Sequence, residues 1–299
     1  MKKILYFACF LFFTGTAGQA AAAPPLPVFD DNSEVEEQEA PAEESGDRET
    51  AEEYELYIDG QSDSLSGPPV FNNGELLVPL TAAVRGMNEF AEVERNAVFT
   101  EADSAYDYLE ENQLIVEIDG REFVNVTTLQ DAGLTADWKD DSGRLHLETA
   151  DMLSTGNIRV GESIDDINNK IDIHWNTAFG NAADYIGFHG NMHEFTYTDR
   201  FGENRTGEVP DLQVEAAENQ VTYLILSSSE WETARGAAVG DSLFDVARAH
   251  GSDYIQEEID GKTVHIYHVN NGSLWFIANE NKDVERIGLW SGQLEGYER

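Results

Sequence analysis

The tightest constraint on how this chain can fold is a series of two-residue turns. Tyr54-Glu55-Leu56-Tyr57-Ile58 alternates in polarity and runs into Asp59-Gly60, and Leu114-Ile115-Val116-Glu117-Ile118 runs into Asp119-Gly120. Pro68-Pro69-Val70-Phe71 leads to Asn72-Asn73-Gly74. Asp-Gly and Asn-Gly pairs accept positive φ at both central positions, the geometry that closes an antiparallel hairpin. A chain reversed this often at short range builds small sheets from short strands. Leu76-Leu77-Val78-Pro79-Leu80 then predicts a strand entering a helix over 81–87. Phe123-Val124-Asn125-Val126 predicts another strand entering a helix over 127–132, closed by Gly133. Trp138 and Leu145-His146-Leu147 flank the turn residues Asp140-Asp141-Ser142-Gly143. Strand, turn, strand, helix, strand thus occurs twice, which implies two similar units sharing one core.

A second repetition follows. Val160-Gly161-Glu162-Ser163-Ile164-Asp165-Asp166-Ile167 matches Val239-Gly240-Asp241-Ser242-Leu243-Phe244-Asp245-Val246, 79 residues further on. In each, a serine precedes an aspartate by three, the spacing of a helix N-cap. Strand-like runs follow both: Glu194–Tyr197 and Gln220–Leu226 after the first, Val264–Tyr267, Ser273–Ile277 and Val284–Leu289 after the second. The fold expected is α+β: two small domains, each an internal duplication of a short antiparallel sheet plus a helix. The boundaries expected are 1–22 for a signal peptide, 23–53 for a disordered acidic linker, 54–150 for the first domain and 151–299 for the second.

The signal peptide is read from Lys2 and Lys3, the apolar run Ile4–Phe13 and an Ala20-Ala21-Ala22 cleavage site. The apolar run is too short to span a bilayer, so no transmembrane segment is expected in the mature chain. Cys9 is the only cysteine. Once it is removed, the mature chain has no disulfide, no thiolate metal site and no thiol nucleophile. Residues 24–55 hold 13 Asp or Glu against one Arg and are punctuated by Pro24, Pro25, Pro27 and Pro41, a composition that stays extended. The whole chain carries a formal charge of −40, and beyond the signal region its lysines are only Lys139, Lys170, Lys262 and Lys282. Such a chain repels nucleic acid. An acidic, lysine-poor surface suits a halophilic or alkaliphilic bacterial host, because salt screens the self-repulsion.

The residues Asp59, Gly60, Pro68, Pro69, Asn73, Gly74, Val78, Pro79 and Leu80 give the segment that resembles the copper amine oxidase-like N-terminal domain, the stalk domain of bacterial cell-surface proteins. Thr81 stands where that family has Arg, and Val124-Asn125-Val126-Thr127 and Trp138-Lys139-Asp140 replace its later motifs. The resemblance implies a spacer or surface-attachment module, with no copper and no catalysis. The two Val-Gly-x-Ser starts make 151–299 similar to the CAP-associated domain of secreted bacterial proteins. More loosely, they resemble tandem helix-plus-sheet inhibitor-like and assembly proteins. Both imply a binding or accessory role.

Three apparent catalytic or metal signals have simpler readings. Gly240-Asp241-Ser242-Leu243 spells a hydrolase motif, yet no Asp-x-x-His block occurs and the sister copy reads Gly-Glu-Ser-Ile. Asp137–Glu148 has the length of a calcium loop, but Lys139 occupies a ligand position and the glycine is displaced, so a hairpin is expected. His189 and His193 have zinc spacing only on a helix, and Gly187-Phe188-His189-Gly190-Asn191 is a poor helix. His265 and His268 fall on opposite faces of a strand. Trp138, Trp175, Trp231, Trp275 and Trp290 are scattered and read as core.

No catalytic, cofactor-binding or metal-ligating residue is therefore assigned, and no cofactor. The expected function is that of a secreted, non-catalytic cell-surface or wall-associated protein, with a stalk domain and a C-terminal binding module. Its partner would be a cell-wall polymer or a surface protein. One alternative is an extracellular hydrolase or metal-assisted enzyme, which requires His174, His189, His193 or His265 to converge with Asp or Glu in one cleft. A second is an inhibitor-like or chaperone-like protein binder.

Overall fold

The computed structural model describes residues 54–93, 104–177, 183–198, 204–259 and 261–294. The expected signal peptide and acidic linker lie outside the described residues.

The chain is rich in sheet, with short helices. Its first strands form two four-stranded sheets. One has the order β2-β1-β8-β7, from β1 (Glu55–Ile58), β2 (Gln61–Ser62), β7 (Thr135–Lys139) and β8 (Arg144–Glu148). The other has the order β3-β4-β6-β5, from β3 (Val70–Asn72), β4 (Glu75–Pro79), β5 (Ile115–Ile118) and β6 (Arg121–Asn125). The turns behave as their residues require: Asp59, Asn73 and Asp119 sit at φ 49°, 53° and 50°, each followed by a glycine also at positive φ. The pairing of β1 with β8 is parallel and joins strands from opposite ends of this region. The segment from Asp137 to Glu148 is the β7–β8 hairpin.

Helix α1 (Leu80–Val93) is longer than the sequence predicted, because Ala82, Ala83 and Met87 give it a continuous buried face. Helix α2 (Ala105–Glu111), capped by Ser104, was not anticipated. Helix α3 (Val126–Asp131) is capped by Asn125, whose side chain accepts from the Thr127 amide at 2.9 Å. Leu56, Ile58, Val78, Met87, Leu109, Val124, Leu129, Leu145 and Leu147 make the common core.

The later strands make one sheet of eight, in the order β11-β12-β13-β14-β18-β17-β16-β15, after a two-stranded β9–β10 ribbon (Ser154–Thr155, Ile158–Arg159). Its members are β11 (His174–Thr177), β12 (Tyr185–Thr198), β13 (Asn204–Ala217), β14 (Gln220–Leu226), β15 (Ile255–Ile259), β16 (Lys262–Val269), β17 (Gly272–Ala278) and β18 (Val284–Trp290). Two four-stranded runs join where β14 pairs with β18, so their edges are consumed rather than left as separate small sheets. Helices α4 (Ile164–Asn168) and α5 (Leu243–His250) precede the two runs. They cover one face through Ile167 and Val246, against Leu212, Leu224, Tyr267, Leu274, Phe276 and Ile287. On the other face Val264, Ile266 and Trp275 pack with Trp290 and Leu294.

Candidate functional site

The most elaborated surface feature is a cleft beside an irregularity in the β12–β13 ladder. His189 pairs with Leu212 and Met192 with Pro210, so Gly190 and Asn191 together face the single residue Asp211. This is a β-bulge, a device that re-aims side chains and recurs beside binding sites. Its first residue has to be glycine: Gly190 sits at φ 83°, and a Cβ there would run into the Asp211 carboxylate.

Asp211 is only 3% exposed. Its carboxylate accepts from the Asn191 amide at 2.5 Å, from His193 Nε2 and from the Ser228 hydroxyl. Burial by itself would raise this carboxyl. The His193 bond, the Asn191 amide and Ser228 outweigh it and hold the group below the usual aspartate range. Asp211 is therefore an anion at neutral pH. A carboxylate only accepts, so His193 carries a proton on Nε2. The His193 side chain is 47% exposed.

His189 is fixed in the opposite sense. Its Nδ1 lies 2.7 Å from the Asp172 carbonyl oxygen, which requires a proton on Nδ1. The His189 ring meets Trp231 edge-on, with centroids 5.7 Å apart. Asp211, His189 and Trp231, with Ser154, Glu230 and Glu232, line an open cleft of about 550 Å³. Among the described residues lining it there is no lysine or arginine.

Thr233, which also lines the cleft, belongs to a hydroxyl–imidazole pair. Thr233 Oγ1, which accepts from the Ala237 amide at 3.1 Å, lies 3.0 Å from His250 Nε2. Both residues are buried, and burial together with the nearby Arg235 pushes the His250 imidazole down to about 3. A base that weak cannot take a proton from a threonine at neutral pH. The pair is structural.

Of the four histidines named from the sequence, His193 bonds Asp211, and His189 lines the cleft together with Asp211. His174 is exposed on β11, in register with Phe188. His265 lies four strands from β13, stacked on Tyr254 at 3.9 Å, with its imidazole pushed down by burial and then by Lys282. Among the described residues no three His, Cys, Asp or Glu side chains form a group that could hold a metal ion. Ser163 and Ser242 both act as helix caps: each hydroxyl accepts from the aspartate amide three residues on at 3.1 Å and donates to that aspartate's carboxylate at 2.7 and 2.6 Å. Of the five tryptophans, Trp231 lines the cleft, whereas Trp138 packs between Tyr54 and Phe71, and Trp275 meets Trp290. Sequence reasoning missed Asp211 and the role of Trp231. The available signal was Gly190 inside a strand, which marks a bulge or a close approach.

No protein-family model matches the chain, and no curated protein does. A search of solved structures finds a 1.5 Å crystal structure of an extracellular protein containing a SCP domain from Bacillus anthracis str. Ames. The identity is 11% and the TM-score 0.27, over 44% of this chain and 43% of that one. The chain thus spans less than half the length of that protein. Among the described residues no helix is long and apolar enough to cross a membrane.

Proposed function

We propose that this is a secreted, non-catalytic bacterial cell-surface or wall-associated protein. Its first two sheets serve as a stalk, and its eight-stranded sheet carries a binding face at the β12–β13 bulge. We read the two runs of helix and four strands as copies of one unit, marked by their matching Ser163 and Ser242 caps. The observation that carries the binding role is the cleft itself. An indole wall, the exposed carboxylates of Glu230 and Glu232 and the His189 imidazole surround it, with no lysine or arginine among the described residues that line it. That lining favours an amine-bearing ligand, held by carboxylates and by the face of Trp231. Retention of the mature chain on purified cell wall and on peptidoglycan, at low and at molar salt, tests this. Retention that survives molar salt and falls at least tenfold for Trp231→Ala is expected. No retention at any salt overturns wall attachment.

The extracellular hydrolase reading keeps one specific support, the His193–Asp211 pair, in which a buried anion orients an exposed imidazole. It requires His193→Gln to abolish a measurable hydrolysis of wall material by the native chain.

A further inference from the structure

The Asp59-Gly60 turn closes its hairpin and also makes a contact between sheets. It reaches the eight-stranded sheet, where a Cβ on Gly60 would run into the carbonyl oxygen of His268 on β16. The next residue continues the contact: Gln61 Oε1 accepts from the Asp253 amide at 2.8 Å, and its Nε2 donates to the Asp253 carbonyl at 3.3 Å. Arg235 reaches back the other way. Its guanidinium bonds Asp59, Glu89 at 2.7 Å and the Thr149 hydroxyl at 3.2 Å. Thr149 in turn gives both its amide and its hydroxyl to Asp59, at 2.7 and 2.6 Å.

The other half of the joint is the β16–β17 turn. Asn271 Oδ1 accepts from Lys139 at 3.0 Å, and the Asn270 amide donates to Glu148 Oε1 at 3.2 Å. The Asn270 side chain bonds Asp137, yet its Oδ1 is buried with no donor. Four carboxyls thus crowd here: Asp59 from the β1–β2 turn, Asp137 on β7, Glu148 on β8 and Asp151 just after it. Asp59 has Arg235, Asp137 has Lys139 at 2.6 Å, and Asp151 has Arg159 at 3.5 Å. Among the described residues no cation pairs with Glu148, which meets only the Asn270 amide.

We propose that this joint is a proton-held latch: Glu148 must carry a proton for the eight-stranded sheet to stay docked on the first two sheets, and ionisation of Glu148 releases them. The proton removes one of four crowded negative charges and places a donor beside Asn270, whose side-chain oxygen lacks one. Burial, then Asp59 and Asp151, push the Glu148 carboxyl up to about 8, against the lowering effect of the Asn270 amide. A released, solvated Glu148 returns toward its ordinary value near 4.3. The docked state therefore binds the extra proton. Docking is strongest below about pH 4 and weakens up to about tenfold per pH unit until pH 8, where the effect levels off.

The mature chain has no cysteine, so two spin labels report the joint cleanly. Glu75→Cys on the first sheets and Glu280→Cys beyond β17 are both exposed. Pulsed electron resonance at constant ionic strength should give one narrow distance at pH 5. A second, displaced population should grow at least tenfold relative to the first by pH 8.5. Glu148→Gln should keep the narrow distance at both pH values. An unchanged distribution in the labelled parent, or the same pH response in Glu148→Gln, overturns the latch. Should Glu148→Gln fail to fold, Asp151→Asn replaces it. That variant lightens the crowding, so the fall in docking must level off at a lower pH and leave a larger docked population at pH 8.5 than in the labelled parent; an equal docked population at pH 8.5 overturns the proposal.

Discussion

At Gly190 two constraints fall on one atom position. Its φ of 83° disfavours any side chain, and the space a Cβ would take is already filled by the Asp211 carboxylate. Gly190→Ala should therefore destabilise the chain by about 2 kcal/mol or more, the cost of left-handed strain plus a displaced carboxylate. Thermal unfolding checks this, and an unchanged melting temperature would mean that the bulge relaxes freely. Asp211 gives a pH signature with a defined sign. Its carboxyl lies below the ordinary range in the folded chain, so its stabilisation is present above about pH 4 and is lost as pH falls through the native value. Asp211→Asn should lower stability at pH 7 and flatten the acid limb of a stability–pH curve. The same acid limb in both proteins would show that Asp211 is not the group responsible.

Elements differ in how visibly the sequence announces them. The Asp59-Gly60, Asn73-Gly74 and Asp119-Gly120 turns were legible because a two-residue hairpin is decided by its own two residues. The caps at Ser163 and Ser242 were legible for the same reason. The parallel β1–β8 pair and the β14–β18 seam were not, because both unite strands far apart in sequence and no local periodicity encodes the partner. The candidate site failed to show for a related cause. His189 and His193 are near each other in sequence, but Asp211 and Trp231 join them only through the β12–β13 register and the loop after β14. Helix α2 escaped notice because seven residues carry too little periodicity to detect. One element-level expectation separates a cap from a nucleophile. Ser242→Ala and Ser163→Ala should each cost about 1 kcal/mol in denaturant unfolding. Neither should alter binding to wall material, and a binding or activity loss confined to Ser242→Ala would contradict the cap assignment.

The whole molecule is dominated by its formal charge of −40. Raising sodium chloride from about 0.1 to 2 M shrinks the screening length from about 10 Å to under 3 Å. Self-repulsion then falls, and the melting temperature should rise by several degrees; a fall would show that ion pairs such as those of Arg235 outweigh the repulsion. The same charge disfavours anionic surfaces, and on our proposal the cleft of Trp231, Glu230 and Glu232 has a preference for amines. The most direct test of that binding role is retention of the mature chain on purified cell wall before and after acetylation of the wall's amino groups. Retention should drop at least tenfold on the acetylated wall, and equally for a Glu230→Gln, Glu232→Gln variant on the untreated wall. Undiminished retention in both cases would contradict an amine-recognising surface protein.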